Sequence, residues 1–331
     1  MTDKIKLDLF QLKSKQDLEG VYHFFKKSTQ KWFDSKNKPK DEFFHVVACP
    51  LCNASSSKEV FEIDGFSYHE CLSCKSLYTK PHLRDGVLAA LYSDGIYQVY
   101  QDNLVKKGQG IRKGVLEDRK YSQIDRLLDK NTPTLLDIGC GGATFLDVCK
   151  QNGWQVEGVD PSPSASQVAL ENYGIKVHQG DFNKIEFDKT YDVITLWGVL
   201  EHVSDPVATI NKAKTLLNKG GIIAFEVPSA DCFISEYLKK YSFSPTRYIE
   251  SGRHNIFFSR KVIQQIAEDS GLKLEYIESN GLDIQTILLE EYDDKTTSKI
   301  INIQDTLNDL LLGDHYRVFL RKYTGGSSND C

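Results

Sequence analysis

The sequence has no uninterrupted apolar run approaching about 18 residues, the length from which a membrane-spanning helix is inferred. Its first residues, MTDKIKLDLFQLKSK, lack the apolar core of a secretory signal. There is also no basic surplus, because 41 Lys and Arg are set against 46 Asp and Glu, which gives a formal net charge of −5. We therefore expect a soluble cytoplasmic protein without a membrane span, and a general nucleic-acid binder is disfavoured.

The 331 residues suffice for one large α/β domain and a small appendage. Residues 1–44, rich in Lys and aromatics, predict amphipathic helices that pack on a later domain, or alternatively a partly ordered leader. Residues 45–80 form a cysteine-containing module, and 81–133 a connector followed by a helical segment. The large domain occupies 134–323, and the tail 324–331 is expected to be disordered.

Four of the eight cysteines form two close pairs, Cys49/Cys52 and Cys71/Cys74, with 18 residues between the pairs. Without an export signal, metal binding is favoured over a disulfide framework. Each CxxC presents two thiolates from one turn, so two such turns complete a tetrahedron and the pattern predicts a zinc ribbon. A closed four-thiolate site has no open position, so the zinc would be structural.

The stretch between the two cysteine pairs alternates between apolar and polar residues and contains Asp64-Gly65, a strong hairpin-turn signal. His45 or His69 could replace a cysteine as ligand, although two complete pairs make that unnecessary. Four free buried cysteines are the other alternative.

From residue 134 onward, strand-like and helix-like patterns alternate. The strands are TLLDI (134–138), WQVEGVD (154–160), KVHQ (176–179), YDVITLW (191–197) and GIIAFEV (221–227), with helical patterns at about 143–152, 163–173 and 206–218. This alternation predicts a doubly wound α/β fold with a parallel sheet. A helix at 260–270, a strand at 272–279, a helical insert and a final strand at 315–323 follow.

The strongest functional signal is the run LLDIGCGGATFL, where an apolar strand ends in an acidic residue and glycines follow, at Asp137, Gly139, Gly141 and Gly142. Ligands bind at this point of a doubly wound sheet, and glycines let the backbone turn sharply beside them. A dinucleotide loop needs a third glycine where Thr144 stands, and Asp137 would repel a pyrophosphate. The carboxylate suits the ammonium and sulfonium groups of S-adenosylmethionine, so we expect this cofactor here.

Further candidate donor-site residues stand at the ends of the next strands. Asp160 ends the second strand, where its carboxylate can accept hydrogen bonds from both ribose hydroxyls, and Pro161 follows it in the same site. Asp181, after the third strand, can accept a hydrogen bond from the adenine amino group, with Phe182 lending an apolar ring. The fourth strand ends at Trp197, at the edge of the same crevice.

Residues 134 to 227 resemble the core of class I S-adenosylmethionine-dependent methyltransferases through LDIGCGG, VEGVDPSP, GDF and YDVITLWGVLEHVSDP. The span from Cys49 to Tyr323 resembles a bacterial subgroup with an N-terminal CxxC…CxxC module, many members of which serve sugar, polysaccharide or natural-product modification. RHNIFFS (253–259) resembles the H-x-x-F-F-S run common in that subgroup. The resemblance implies a seven-stranded Rossmann-like sheet whose last strand is antiparallel, and it does not cover 1–44 or 281–312.

The chain departs from this resemblance at one place. Some related quinone-pathway O-methyltransferases have an acidic residue three or four positions before the Glu-His pair, where a divalent cation can bind. Here the preceding residues are Trp197, Gly198, Val199 and Leu200. A catalytic magnesium ion is therefore disfavoured, and we expect Trp197 to flank the adenosine or the substrate.

Methyl transfer is an in-line attack on an activated sulfonium methyl group, so the enzyme mainly positions the nucleophile. A hydroxyl nucleophile also needs a base, for which His202 and His254 are the candidates. We favour His254, because loops after the fifth strand commonly close the acceptor side in the resemblance group. Structurally, His202 could instead bond backbone at a helix start and His254 could orient a loop. Tyr92, Tyr97 and Tyr100 could line the substrate side, or serve as core or lid.

The sequence as a whole predicts methyl transfer to a small molecule, such as a sugar or natural-product intermediate, with O-methylation favoured over N- or C-methylation. A zinc-ribbon RNA methyltransferase is one alternative, which the acidic balance and the absence of an Arg/Lys run near 49–74 disfavour. A non-enzymatic binding protein that retains the fold is the other, but such a protein would not need the glycines and acidic residues of the donor site.

Overall fold

The computed structural model describes most of the chain. The described ranges are 8–12, 14–91, 112–241, 247–250 and 252–323. The tyrosines considered for the substrate side (Tyr92, Tyr97 and Tyr100) and the tail at 324–331 lie outside these ranges. No helix within the described ranges combines the length and apolar character needed to cross a membrane.

The chain before residue 134 is built from short elements. Its helices are α1 (Leu9–Leu12), α2 (Lys15–Thr29), α3 (Val87–Leu91) and, directly after a π-helical stretch (Arg112–Glu117), α4 (Asp118–Asp125). Its strands are β1 (Phe44–His45), β2 (Ser57–Ile63), β3 (Phe66–Cys71), β4 (Leu77–Thr79) and β5 (His82–Leu83).

The chain after residue 134 alternates longer strands and helices. The strands are β6 (Thr134–Ile138), β7 (Gln155–Asp160), β8 (Val177–Gln179), β9 (Tyr191–Trp197), β10 (Leu217–Pro228), β11 (Ile256–Phe257), β12 (Leu272–Ser279) and β13 (His315–Lys322). The helices are α5 (Thr144–Gln151), α6 (Pro163–Tyr173), α7 (Pro206–Thr215), α8 (Phe233–Leu238), α9 (Arg260–Asp269), α10 (Asp283–Leu288) and α11 (Asp294–Asp309).

Seven strands form one large mixed sheet in the order β8-β7-β6-β9-β10-β13-β12. Neighbours from β8 to β10 pair in parallel, whereas β13 is antiparallel to both β10 and β12. The predicted α/β fold, with its seven-stranded sheet and antiparallel last strand, is therefore confirmed. The carboxyl ends of β6, β7, β8 and β9 meet at one edge of this sheet, which is where a doubly wound fold binds its ligands.

Local sequence signals explain where the crossover helices begin and end. Asp205 Oδ1 accepts the amide of Ala208 at 2.8 Å and caps α7, whose first residue is a proline. Gly174 adopts a left-handed conformation (φ 59°) after the last turn of α6, the usual use of glycine at a helix end. The central strand β9 has a nearly continuous apolar run, because helices cover both faces of the sheet.

The segment with the four cysteines forms a second, smaller sheet in the order β11-β4-β3-β2. The predicted hairpin between β2 and β3 is confirmed, and both of its turn residues have positive φ, 53° at Asp64 and 86° at Gly65. Its outer strand β11 comes from the later part of the chain, where Ile256 pairs with Tyr78. The small sheet therefore contains a strand from each part of the chain and joins the two parts.

The N-terminal helices and the helical insert of residues 281–312 also contact each other. Leu9 packs with Leu18 and Leu282, and the Leu9 amide donates to Gln285 Oε1 at 2.9 Å. Beyond α2, the rings of Trp32 and Phe66 meet edge to face at 6.3 Å. The first described helices thus pack on both the cysteine module and the insert.

Candidate functional site

A cleft of about 510 Å³ opens at the carboxyl ends of β6, β7, β8 and β9. Eight of the predicted site residues line it, namely Gly139, Gly141, Asp160, Pro161, Asp181, Phe182, Trp197 and His202. Asp137, Gly142 and His254 are not among the described residues that line it. The opposite wall comes from the residues after β5, which include Arg84, Asp85 and Leu88. The cleft therefore has one wall from the large sheet and one from the segment that directly follows the cysteine module.

The glycine loop after β6 is folded so tightly that residue 139 has no room for a side chain. Gly139 has a φ of +70°, and a Cβ there would lie 2.5 Å from Val199 Cγ2. The Gly139 amide donates to the carbonyl oxygen of Val159 at 2.7 Å, which ties the loop to the end of β7. Glycine is required here because the loop runs between two neighbouring strand ends.

Asp160 holds the same loop from the end of β7. Its Oδ2 accepts the Gly141 amide at 2.9 Å and its Oδ1 accepts the Ser162 amide at 2.8 Å. Burial raises the pKa of this carboxyl group, and the two amides counteract that rise. A carboxylate oxygen has two lone pairs, so each oxygen can still accept a bond from a ligand in the cleft.

Asp137 lies beneath the glycine loop and does not line the cleft. Its side chain is 2% exposed and accepts the Thr195 hydroxyl at 2.6 Å. Burial raises the pKa of Asp137 to about 7, although the Thr195 hydroxyl and the Lys120 charge lower it. Gly142 belongs to the same loop and is not among the described residues that line the cleft. Their contribution to cofactor binding stays a prediction.

The residues after β8 and β9 supply rings and polar groups to the cleft. Asp181 is exposed and caps a short 3₁₀ turn through the Asn183 amide at 2.9 Å, and Phe182 beside it is buried. The Trp197 ring meets Phe145 edge to face at 5.4 Å. The Trp197 indole nitrogen, though buried, has no hydrogen-bond partner among the described residues. A ligand acceptor in the cleft could satisfy it.

The two predicted histidines lie side by side, with ring centroids 5.4 Å apart. His202 lines the cleft, whereas His254 lies behind it and is 7% exposed. His202 Nδ1 is 2.7 Å from the Arg253 carbonyl oxygen, and His254 Nδ1 is 2.8 Å from that of Tyr248. Burial lowers the pKa of His202 to about 3 and that of His254 to about 4, so both rings are neutral near pH 7.

Sequence reasoning missed several residues around these histidines. Arg253 and Asn255 line the cleft, and Glu201 lies buried beside His202 at 1% exposed. Burial raises the pKa of Glu201 to about 7. His82 also lines the cleft, and its Nδ1 is 3.1 Å from Thr79 Oγ1. The Glu-His pair and the R-H-N run were visible signals, but nothing in the sequence placed His82 next to them.

The structure brings the four predicted metal-binding cysteines together. The sulfur atoms of Cys49 and Cys74 are 3.7 Å apart and those of Cys52 and Cys71 are 3.6 Å apart, and all four lie within 4.8 Å of one another. Zinc–thiolate bonds of about 2.3 Å place tetrahedral sulfur atoms about 3.8 Å apart, so the cluster fits zinc. The two CxxC turns have the same backbone hydrogen bond. The Asn53 amide donates to the Cys49 carbonyl oxygen, and the Lys75 amide donates to the Cys71 carbonyl oxygen.

Comparison with known proteins gives a consistent set of relatives. A family model described as a methyltransferase domain matches residues 115–277. A ubiquinone biosynthesis O-methyltransferase of Saccharophagus degradans is 30% identical over 177 residues, which are 48% of this chain and 72% of that protein. One of Nitrosomonas europaea is 34% identical over 99 residues, which are 28% of this chain and 42% of that protein. The chain thus spans only part of the length of these curated relatives.

A solved structure shares the fold at low sequence identity. The plantazolicin methyltransferase BpumL, in complex with a pentazolic desmethylPZN analog and SAH, superimposes with a TM-score of 0.50 and 17% identity. The match covers 71% of this chain and 95% of that one. The match to the methyltransferase relatives shows the family, and the cleft at the strand ends agrees with it. The chain belongs to the class I S-adenosylmethionine-dependent methyltransferases.

Proposed function

We propose that this chain transfers the methyl group of S-adenosylmethionine to a hydroxyl group of a small molecule, a sugar or another natural-product intermediate. The observation that carries the proposal is the row of donor-site residues along one cleft, in the order of the strands that bear them. Relatives named as O-methyltransferases support the hydroxyl as acceptor. Transfer to nitrogen or carbon is the alternative for the same cleft.

The donor would lie along the edge of the large sheet. The glycine loop offers backbone to the methionine part, with the Asp137 carboxyl group beneath it. Asp160 accepts hydrogen bonds from the ribose hydroxyls, since its oxygens keep lone pairs beyond the two amides they already accept. Asp181 and Phe182 hold the adenine, and Trp197 and Pro161 flank the adenosine. Gly142 allows the loop to approach the ligand.

The reaction needs the acceptor oxygen in line with the methyl group. The oxygen forms a bond to the methyl carbon while the carbon–sulfur bond breaks, and sulfur retains the electron pair as S-adenosylhomocysteine. The hydroxyl proton must leave, and His202 and His254 are the groups we assign to this step. Of the two, His202 is the one whose side chain lines the cleft. His254 would act through its neighbour unless the rings rearrange.

Charged and amide side chains stand beside Leu83 and Leu88 on the acceptor side of the cleft, and they favour a hydroxyl-bearing acceptor over a purely apolar one. Arg84 and Asp85 approach from the wall that follows β5, and Arg253 and Asn255 from the wall that precedes β11. Arg253 is positioned by its ion pair with Glu250 and by the ring of Phe25, 4.3 Å from its guanidinium carbon. Charged and amide groups of this kind recognise sugar hydroxyls or an attached phosphate.

We also propose that Cys49, Cys52, Cys71 and Cys74 bind one structural zinc ion. Three of the four side chains are buried, and a four-thiolate shell leaves no position for a substrate. The seven cysteines in the described ranges are free thiols, and we assign the protein to a reducing compartment such as the cytoplasm, where thiols stay available to bind metal. The ion would stabilise the CxxC turn that precedes β4. It would thereby also stabilise β11, which pairs with β4.

Two steps test the proposed function. Calorimetry with S-adenosylhomocysteine should show one site per chain, and failure of the wild-type protein to bind it would overturn the proposal. Transfer of a labelled methyl group should then be measured on sugar nucleotides, phenolic natural products and RNA in parallel. Labelling of a sugar nucleotide or natural product supports the acceptor class. Labelling of RNA alone would replace it with the zinc-ribbon RNA methyltransferase alternative.

A further inference from the structure

His82 lines the cleft on the wall opposite the large sheet. It belongs to the short strand β5, and the residues that follow it, among them Leu83 and Arg84, line the same wall. The side chain is 4% exposed, so the ring is enclosed by protein except where it meets the cleft. A histidine held in this way presents one defined edge to a bound molecule.

The amide group of Asn255 sets the direction of the hydrogen bonds behind His82. Asn255 Nδ2 donates to the carbonyl oxygens of Gly252 and Arg253, both at 3.2 Å. The other amide atom, Oδ1, can only accept, and the Thr79 hydroxyl donates to it at 3.4 Å. Both side chains are buried, so bulk water does not compete for these bonds.

The orientation of Thr79 in turn fixes the proton on His82. A hydroxyl group has one proton, which Thr79 gives to Asn255, so Thr79 Oγ1 accepts from His82 Nδ1, 3.1 Å away. Burial lowers the pKa of His82 to about 4, so the ring is neutral near pH 7 and has one N–H. Since Nδ1 carries that proton, Nε2 keeps its lone pair.

The second ring nitrogen of His82 is open to the cleft. Nε2 makes no hydrogen bond to a described residue. It is also not one of the enclosed polar atoms that have neither a partner nor contact with solvent. Because His82 lines the cleft, the accessible part of the ring faces it. Nε2 is therefore a hydrogen-bond acceptor for a molecule bound there.

The same chain of hydrogen bonds also holds His202. The Arg253 carbonyl oxygen accepts from Asn255 Nδ2 and from His202 Nδ1, the latter at 2.7 Å. His82 and His202 line the cleft from different walls, one after the cysteine module and one after β9. Their rings therefore have a common support, although their positions in the sequence are far apart.

We propose that His82 binds the methyl acceptor by accepting a hydrogen bond at Nε2 from a hydroxyl group that is not the one methylated. Thr79 and Asn255 are its positioning residues. The inference rests on the proposed function, which assigns His202 to the proton of the methylated hydroxyl, and it adds that the acceptor has at least two hydroxyl groups. A methyl ether in place of the second hydroxyl would leave the ring nitrogen without a donor and bind more weakly.

The proton position can be measured without an acceptor. Full-length protein is labelled with ¹⁵N-histidine, and the signal of His82 among the eight histidines is assigned by its loss in His82→Phe. We expect a neutral ring near pH 7 with the proton on Nδ1. Thr79→Val, which removes the hydroxyl and keeps the shape, should shift this signal, and Thr79→Ser should restore it. A proton on Nε2 in the wild type would overturn the proposal.

Small diols then test whether Nε2 accepts a hydroxyl. Catechol and methyl glucoside are titrated into the labelled wild type in the presence of S-adenosylhomocysteine, with 1,2-dimethoxybenzene as the matched probe that has no donor. A shift of the Nε2 resonance with catechol alone supports a phenolic acceptor, and one with methyl glucoside alone supports a sugar. No shift with either diol, or an equal shift with 1,2-dimethoxybenzene, contradicts the proposal. Should His82→Phe not fold, the change in Thr79→Val identifies the His82 signal.

Kinetics on the acceptor found in the methyl-transfer assays measure the contribution to binding. His82→Phe should raise KM for that acceptor about five- to twentyfold with little change in kcat, because the lost bond lies away from the reacting atoms. Thr79→Val should give a smaller rise and Thr79→Ser the wild-type KM. His23→Phe, at an exposed histidine, is the control, and an equal KM in His82→Phe would overturn the proposal. Failure of the wild type to bind S-adenosylhomocysteine contradicts only the proposed function, since the proton position of His82 is measured without the donor.

Discussion

The donor half and the acceptor half of the cleft are built in different ways. The proposed donor half comes from the ends of β6, β7, β8 and β9, which carry the predicted donor-site residues of the cleft in sequence order between residues 139 and 197. The proposed acceptor half is assembled from three distant segments, around residues 82–88, 202–204 and 253–255. The difference shows that a binding site for the methyl donor can be predicted from local sequence motifs, whereas the acceptor site depends on packing between distant segments.

The largest expected effect lies in the acceptor half. His202→Ala should reduce turnover of an identified acceptor by about 100- to 10,000-fold, because the proposed function assigns this histidine to the proton of the acceptor hydroxyl. Donor affinity should stay close to that of the wild type. Steady-state assays at saturating donor check this, with calorimetry for S-adenosylhomocysteine.

The same assays on His254→Ala rank the two histidines. The sequence favours His254, whereas the position of His202 on the cleft wall predicts the larger loss for His202→Ala. If both variants keep near-normal turnover, neither histidine serves the acceptor's proton and the transfer proceeds by proximity alone.

The next effect in size concerns the cysteine module, which contacts the segment that carries Arg253 and Asn255. Cys71→Ser should remove the zinc and lower the free energy of unfolding by about 3 kcal/mol or more, because a structural metal contributes folding energy. Amide hydrogen exchange should rise in residues 252–259, which contact the module, and much less in 135–146. Denaturant unfolding, elemental analysis and exchange mass spectrometry measure the three quantities.

Contacts between the module and the acceptor wall explain this expectation. The Ser259 hydroxyl donates to the Cys74 carbonyl at 2.5 Å, and the Thr79 amide donates to the Asn255 carbonyl at 3.0 Å. Cys232→Ser, at a buried cysteine outside the cluster, is the control and should keep the zinc. Equal exchange in both halves after zinc loss would contradict a selective link to the acceptor side.

In the donor half, Asp160→Ala should weaken S-adenosylmethionine binding by about 1.5–3 kcal/mol, the range for a hydrogen bond to a charged group. The loss has two sources, the ribose contact and the support of the Gly141 amide. Calorimetry on Asp160→Ala and on Asp188→Ala, an exposed carboxylate, measures it. Unchanged affinity in Asp160→Ala would remove the ribose assignment.

The smallest expected effect is a loss of stability on substitution of Asp192, at the end of the large sheet opposite the cleft. Burial would raise the pKa of Asp192, but bonds from Lys130, Thr134 and Asn218 lower it to about 2. A lowered carboxyl pKa stabilises the fold above the unfolded value of 3.8, and this stabilisation is lost as the pH falls towards 2. Asp192→Asn should therefore cost about 1 kcal/mol at pH 7 and progressively less below about pH 4. Urea unfolding at several pH values checks the slope, and a constant difference would contradict it.

The sequence predicted the large domain well because its signals are local. The strands at 134–138, 191–197 and 272–279 have the predicted bounds, and α6 begins and ends as predicted, since apolar runs and caps specify them. The hairpin turn at Asp64-Gly65 followed from its two residues alone. The convergence of the four cysteines followed from their spacing.

The acceptor half could not be predicted because no short stretch contains it. His82 reaches the cleft through the pairing of β1 with β5, which gives no periodic signal in strands of two residues. Glu201 is buried, and the Asn255 amide of the distant segment 253–255 donates to its carbonyl oxygen at 3.4 Å. That His254 stands behind His202 is likewise a matter of tertiary packing, which the H-x-x-F-F-S run does not encode.

The strand β11 has a practical consequence for engineering. Because it completes the sheet of the cysteine module, a chimera that exchanges only residues 45–80 would leave β4 beside a foreign edge strand. A transplant meant to change acceptor preference should move the module together with the segment that carries Arg253 and Asn255. The two stretches are far apart in the gene but form a single exchangeable part.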